Sequence, residues 1–99
     1  MNHSINLNIH YTMQDNLWER INEVYASMRY WAEEEKGPCW KAENIDLPAS
    51  VEPGGVQIYG EMPEDIWESW YSELKEKLTV ALGYEIGEPE DGYEFKYFD

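Results

Sequence analysis

The longest regular hydrophobic pattern in the chain lies between Pro63 and Gly83 and predicts an amphipathic helix. Pro63 suits the first helical position, and Gly83 is favourable just beyond the C-terminal end. The apolar side chains recur at intervals of one, three and four, which places them on one side of the helix: Ile66, Trp67, Trp70, Tyr71, Leu74, Leu78 and Leu82. Such a face needs a large apolar partner, which the rest of the chain is expected to supply.

The first third of the chain carries a strand pattern followed by a second helix pattern. Ser4–Tyr11 alternates and predicts a half-buried strand, with Ile5, Leu7, Ile9 and Tyr11 on one face and Asn6, Asn8 and His10 on the other. Gln14–Glu35 then has an apolar stripe at helical spacing, with Asp15 or Thr12 as the N-cap. The stripe consists of Leu17, Ile21, Val24, Tyr25, Met28, Trp31 and Ala32.

The middle of the chain predicts a β-hairpin. Cys39–Asn44 is ambiguous between a loop and a short edge strand, but Ile45–Val51 and Val56–Met62 both alternate. Between them, Glu52-Pro53-Gly54-Gly55 fits a type II turn, which favours proline at its second position and glycine at its third. Because proline has no N–H to donate, Pro48 predicts that its strand lies at a sheet edge or contains a bulge.

The last residues complete the predicted fold. Tyr84–Ile86 and Tyr93–Phe98 predict two short strands, joined by turn-forming residues at 87–92. The resulting order is β-α-β-β-α-β-β within a single domain, residues 1–99. Two helices on one face of a mostly antiparallel sheet make an α+β, two-layer sandwich, whose first four strands are arranged much as in ferredoxin-like folds.

The charge of the chain narrows the choice of partner. The formal net charge is −14, so nucleic acids and anionic membranes are repelled at long range, and a basic macromolecule is favoured. Residues 84–99 contain six acids and one base, interleaved with tyrosine and phenylalanine. We therefore predict a surface that binds lysine and arginine side chains, formed by Tyr84, Glu85, Glu88, Glu90, Asp91, Tyr93 and Glu94. The alternative is a solvated hairpin whose acids protect an exposed sheet edge.

Catalytic and metal-binding patterns are missing from the sequence. Cys39 is the only cysteine, which excludes an internal disulfide framework and favours a reducing cytoplasm. His3 and His10 are seven residues apart and would point to opposite faces of one strand. We expect no metal, no cofactor and no enzymatic activity. No signal peptide or membrane-spanning run is recognisable. Trp18 and Trp40 fit the helical stripes poorly, so either is a candidate exposed anchor for a protein partner.

The second half of the chain resembles a known class of proteins. The run Ala49–Met62, ASVEPGGVQIYGEM, a tryptophan-rich helix and then LGYEIGEPEDGYEF are similar to small acidic immunity proteins of bacterial toxin–immunity systems. The closest class is that of contact-dependent growth inhibition and related polymorphic toxins. The resemblance implies a cytoplasmic protein that binds and blocks a C-terminal toxin domain, often a basic nuclease. It assigns no role to individual residues.

Three functions remain open at this level. The leading hypothesis is an inhibitor, monomeric before it binds its toxin, that covers a cationic substrate groove with carboxylates in place of nucleic-acid phosphates. A DNA mimic that occupies a host nucleic-acid-binding protein is the alternative; it would bind several unrelated enzymes and respond strongly to salt. A small enzyme or ligand-binding domain would instead require a convergent pocket with perturbed titratable groups.

Overall fold

The computed structural model describes residues 2–34 and 37–96, which form an α+β fold with two helices and a five-stranded antiparallel sheet. In chain order the elements are β1 (Asn2–Leu7), α1 (Asp15–Ser27), β2 (Trp31–Glu34), β3 (Gly37–Ala42), β4 (Ile45–Glu52), β5 (Gly55–Glu61), α2 (Glu64–Leu82) and a 3₁₀ turn (Pro89–Asp91). The spatial order of the strands is β1-β5-β4-β3-β2. The predicted order β-α-β-β-α-β-β is therefore wrong. The strand β2 replaces the end of the first predicted helix, and β3 overlaps the stretch that was ambiguous between a loop and a short edge strand.

The helix α2 confirms the strongest sequence prediction. Its buried side chains are Trp67, Trp70, Leu74, Leu78 and Leu82, while Ile66 and Tyr71 are partly buried. Gly83 caps it with a φ of 80°, and its N–H donates to the carbonyl of Thr79 at 2.9 Å. Pro63 stands one position earlier than predicted, as the N-cap, and its carbonyl accepts from Trp67 at 2.9 Å.

The helix α1 ends at Ser27, eight residues before its predicted end. Tyr30 has a left-handed φ of 73°, which turns the chain out of the helix and into β2. Two indoles satisfy backbone carbonyls at this exit: Trp40 Nε1 donates to Tyr25 and Trp70 Nε1 donates to Arg29, both at 3.2 Å. The N-cap is Gln14, not Asp15 or Thr12, and its side chain forms no capping hydrogen bond.

Side chains from both helices and from β1, β3, β4 and β5 share a single core. Trp40, on β3, is fully buried and packs edge-on against Tyr25 and Trp70, with ring centroids 5.0 Å apart in both pairs. The interpretation of Trp40 as an exposed anchor is therefore wrong. Trp18 is partly buried and packs against the same core.

The β4–β5 hairpin is confirmed, but two of its details differ from the prediction. Positive φ falls on Gly55, at 131°, and not on Gly54, which excludes a type II turn. The strand β4 lies inside the sheet, although it contains Pro48. Its pairing with β5 passes from Asp46↔Glu61 to Ala49↔Ile58 and so skips Pro48, which explains how an interior strand accommodates a proline.

Candidate functional site

The segment that carries the predicted binding residues is not a strand hairpin. Tyr84–Ile86 and residues 93–96 form no strand, and residues 97 and 98 of the second predicted strand lie outside the described residues. The chain instead runs from Gly83 into the 3₁₀ turn Pro89–Asp91, which ends at Gly92 with a φ of 96°. The prediction of strands at Tyr84–Ile86 and at residues 93–96 is wrong, because the backbone of this segment bonds to one buried side chain and does not join the sheet as a strand.

That buried side chain is Asn8, which is fully inaccessible to solvent. Ile9 N–H donates to Leu7 O at 2.8 Å, so a three-residue turn centred on Asn8 interrupts the alternation of β1 and points Asn8 inward. Asn8 Nδ2 donates to the carbonyls of Glu85 and Glu94, at 2.9 and 2.7 Å. Asn8 thus connects both ends of residues 84–94, which we call the acidic segment, to the core. Its predicted place on the outer face of the strand is wrong.

Two further bonds link Asn8 to Gly87, one of the two glycines of the segment. Asn8 N–H donates to Gly87 O at 3.1 Å, and Gly87 N–H donates to Asn8 Oδ1 at 2.8 Å. The hydroxyl of Tyr84 also donates a hydrogen bond to Asn8 O, at 2.8 Å. The backbone of the acidic segment is therefore held by paired donors and acceptors at a site closed to water, which makes it a preorganised support for exposed side chains.

Five of the seven predicted residues surround one shallow depression of 470 Å³. The depression is lined by Tyr84, Glu85, Asp91, Gly92, Tyr93 and Glu94. Glu85, Asp91 and Glu94 are exposed, and none of them forms an ion pair with another described residue. This arrangement leaves three carboxylates beside two tyrosine rings with no salt bridge to the part of the chain that the structure describes.

The other two predicted residues, Glu88 and Glu90, line a different cavity. This cavity of 230 Å³ lies against β1 and β5 and is also bordered by Ser4, Ile5, Asn6, Gln57 and Pro89. The predicted surface is thus divided by the 3₁₀ turn into a larger depression and a smaller, more polar one. Sequence reasoning could not place this division, because the alternating pattern predicted strands on both sides of it.

Glu88 differs electrostatically from the exposed acids. Its partial burial raises the pKa of its carboxyl, and the neighbouring carboxylates of Asp91 and Glu90 act in the same direction. The backbone N–H of Asn6 and the ammonium of Lys75 oppose this shift. Glu88 is therefore a partly enclosed carboxyl beside β1, in an environment with excess negative charge.

The two tyrosines of the depression have different environments. The Tyr84 ring packs against the core, and burial raises the pKa of its hydroxyl to about 12. Lys96 Nζ lies 5.9 Å from the centroid of this ring, within the range of a cation–π contact. The Tyr93 ring covers Gly87 so closely that a Cβ there would lie 2.5 Å from it. Both rings are positioned by the packing of the segment.

Tyr71 on α2 belongs to the same neighbourhood, and sequence analysis assigned it only to the core. Burial raises the pKa of its hydroxyl, with smaller contributions from Glu88, Asp91 and Tyr93. The hydroxyl oxygen is buried and has no hydrogen-bond partner within the described chain. Lys75 Nζ lies 4.2 Å from the ring centroid. No sequence signal distinguishes Tyr71 from the other apolar positions of its helix.

His3 and Cys39, which are candidates for metal binding and nucleophilic chemistry, form structural contacts. His3 Nε2 lies 3.0 Å from Met62 O, and its ring stacks on Trp67 with centroids 4.0 Å apart. Cys39 is buried and its thiol donates to Ala32 O at 3.0 Å. Burial and the Glu34 carboxylate raise the pKa of this thiol, which disfavours a reactive thiolate. Among residues 2–34 and 37–96, no three His, Cys, Asp or Glu side chains are grouped to hold a metal ion.

Neither helix in the described part of the chain combines the length and the apolar character needed to cross a bilayer. Comparison of the chain with protein-family models, curated proteins and solved structures finds no match.

Proposed function

We propose that this chain is a cytoplasmic, non-enzymatic immunity protein that binds and neutralises a cognate basic toxin domain of a contact-dependent or related polymorphic toxin system. The observation that carries the proposal is the depression between Glu85, Asp91 and Glu94, whose carboxylates are exposed, unpaired with other described residues and mounted on a segment held by Asn8. A net charge of −14 supports a cationic partner.

The binding mechanism follows from charge and preorganisation. Long-range attraction between the acidic chain and a basic domain would accelerate encounter, to about 10⁸ M⁻¹s⁻¹ at low salt. The three carboxylates would then accept hydrogen bonds from lysine or arginine side chains, while the rings of Tyr84 and Tyr93 exclude water beside them. Because the Asn8 hydrogen bonds already order the segment, little backbone entropy is lost on binding. A nuclease bound in this way has its phosphate-binding groove occupied.

We infer a two-layer sandwich in which α1 and α2 cover one face of the sheet, since both helices contribute to the core shared with that face. Strong self-repulsion at this net charge favours a monomer before the toxin is bound.

The test combines affinity capture with a protection assay. The tagged protein is used to capture partners from its source bacterium at moderate salt, and the bound proteins are identified by mass spectrometry. A captured toxin domain is then expressed in a susceptible bacterial strain together with the wild-type chain or with the triple variant Glu85→Lys, Asp91→Lys, Glu94→Lys. We expect the wild type to protect and the triple variant to fail while remaining folded.

A matched control reverses three exposed acids elsewhere, with Glu19→Lys, Glu43→Lys and Glu61→Lys. This variant has the same net charge as the first, so its continued protection would assign the effect to the depression and not to overall charge. Equal protection by both variants would refute the placement of the site. Capture of many unrelated nucleic-acid enzymes that dissociate with salt would favour DNA mimicry over the immunity function.

A further inference from the structure

Val80 is the most exposed large apolar side chain among the described residues, with 81% of its surface accessible. It lies on α2 between Thr79 and Ala81, outside the apolar stripe that the helix buries. A single exposed valine is ordinary on a protein surface. The position of Val80 is informative because it borders two adjoining cavities, one on each side.

The first of these cavities is the groove between the helices, with a volume of 840 Å³. Its apolar residues are Val24 of α1 and Val80 and Ala81 of α2. The second cavity has a volume of 240 Å³ and contains Glu76, Val80, Glu85 and Tyr93 in its lining. It shares Glu76 and Val80 with the groove, and Glu85 and Tyr93 with the depression at the acidic segment. The three cavities are therefore neighbours on one continuous concave surface.

The charges along this surface match a basic partner. The two cations of the groove have contacts inside the chain: Arg20 donates to Ala81 O at 3.3 Å, and Lys77 lies 3.2 Å from Ser27 Oγ and 3.8 Å from Glu73. A third cation, Lys75, lines the second cavity, and its Nζ lies 4.2 Å from the centroid of the Tyr71 ring. Glu23 and Glu76 form no ion pair with a described residue. A second copy of this chain would bring another charge of −14 to the surface and is therefore disfavoured as the occupant.

We propose that the interface with the basic toxin domain extends from the depression across α2 into the interhelical groove, and that Val80 is its apolar centre. This inference rests on the proposed function and adds to it the chemistry of the partner surface: an apolar side chain flanked by lysine or arginine. Such an arrangement reproduces the general organisation of protein interfaces, in which an apolar centre is surrounded by a polar rim.

Two synthetic peptides test this surface without knowledge of the toxin. Each has the sequence Lys-Lys-Gly-Gly-X-Gly-Gly-Lys-Lys, where X is leucine in one peptide and serine in the other. Binding is measured by the change of backbone amide shifts in NMR spectra at low salt. We expect the leucine peptide to bind the wild type at least about threefold more tightly, since burial of one or two methylene equivalents is sufficient for this ratio. The backbone amide shifts that change on binding should be those of residues 76–86.

The variant Val80→Thr keeps the shape and charge of the site but places a hydroxyl at its centre. We expect it to lose the preference for the leucine peptide, whereas Val51→Thr should retain it, because Val51 is an exposed valine on β4 remote from these cavities. The absence of any preference in the wild type, or its persistence in Val80→Thr, would overturn the inference.

The triple charge reversal at Glu85, Asp91 and Glu94 separates this inference from the proposed function. If it weakens both peptides while the leucine preference is absent in the wild type, the extension across Val80 is wrong and the acidic depression stands. If it leaves both peptides unaffected while Val80→Thr removes the preference, the apolar centre is supported and the acidic depression is not the partner site.

Discussion

Asn8 and Gly87 are hydrogen-bonded to each other twice, through the backbone of Asn8 at 3.1 Å and through its side-chain oxygen at 2.8 Å. This pair joins the end of the first strand to the middle of the acidic segment, 79 positions later in the chain. The same asparagine also binds the carbonyls of Glu85 and Glu94. The acidic segment is therefore attached through one residue that lies inside the protein, with no surface accessible to a binding partner.

The first prediction concerns this residue. Asn8→Ala removes one acceptor and two donated hydrogen bonds in a buried site, each worth about 1 kcal/mol or more when its partner is left unsatisfied. We expect the free energy of unfolding in urea to fall by roughly 3 kcal/mol or more. Hydrogen exchange at residues 85–94 should also accelerate beyond the change in global stability. Asn22→Ala, at an exposed position of α1, is the control and should change stability by less than about 0.5 kcal/mol.

The second prediction concerns the hydroxyl of Tyr84. Tyr84→Phe leaves the ring in the core but removes the bond to Asn8 O, so stability should decrease by about 1 kcal/mol. Tyr59→Phe is the matched control, because Tyr59 is 53% exposed and should tolerate the change. Thermal unfolding followed by circular dichroism measures both variants. Equal melting temperatures for Tyr84→Phe and the wild type would mean that the Tyr84 hydroxyl adds nothing to the attachment of the segment.

Sequence patterns were sufficient where the local and the tertiary requirements agree. The helix α2 has an apolar stripe, a proline at its beginning and a glycine at its end, and the structure has a helix between those residues. They failed for residues 28–34, where the stripe suits a helix but the chain turns at residues 28–30 and then forms β2, which pairs with β3. The carbonyls of Tyr25 and Arg29 bind indoles from Trp40 and Trp70, and such long-range contacts leave no local signal.

For the candidate site, too, the sequence predicted the location of the segment but not the arrangement of its residues. The charge pattern identified the segment 84–94, and five of its predicted residues do surround one depression. The separate position of Glu88 and Glu90 and the proximity of Tyr71 to these acids are set by tertiary packing and leave no signal in the local sequence pattern. Strict alternation along one strand predicted that the Asn8 side chain points outward. The three-residue turn at Asn8 interrupts that alternation and points the side chain inward, and the sequence pattern carries no signal of this turn.

The third prediction tests the contact between Gly87 and the Tyr93 ring. Gly87→Ala places a Cβ 2.5 Å from that ring, so the ring must move away from the segment. We expect a loss of about 1–3 kcal/mol, which is typical of overpacking. Gly54→Ala should be tolerated, since nothing lies within 4 Å of the Cβ that it introduces.

A double variant shows whether the ring is the obstacle. Adding Tyr93→Ala to Gly87→Ala should recover part of the lost stability, giving a coupling energy of opposite sign to the single effects. Purely additive losses would indicate that the alanine disturbs the backbone of the segment, and not the ring.

The last prediction concerns pH and Glu88. A carboxyl with a raised pKa in the folded state keeps its proton at pH values where the unfolded chain has already lost it. The contribution of Glu88 to stability is therefore greatest in acid and declines as the pH rises from its ordinary pKa of 4.5 through the higher folded value. Relative to the wild type, Glu88→Gln should gain stability over this interval and keep that advantage at pH 7, because glutamine stays neutral. Urea unfolding between pH 4 and 7 measures the difference.

The exposed-site variant Glu43→Gln controls for the removal of one negative charge from an acidic protein. Its stability should follow the wild type more closely over the same interval, because Glu43 lies in the β3–β4 turn, away from the carboxylates that surround Glu88. Parallel curves for Glu88→Gln and the wild type would show that the fold does not penalise the ionised carboxyl. A loss of stability at pH 7 in Glu88→Gln would instead show that the bond from the Asn6 N–H outweighs burial, so that the charged form of Glu88 attaches the acidic segment to β1.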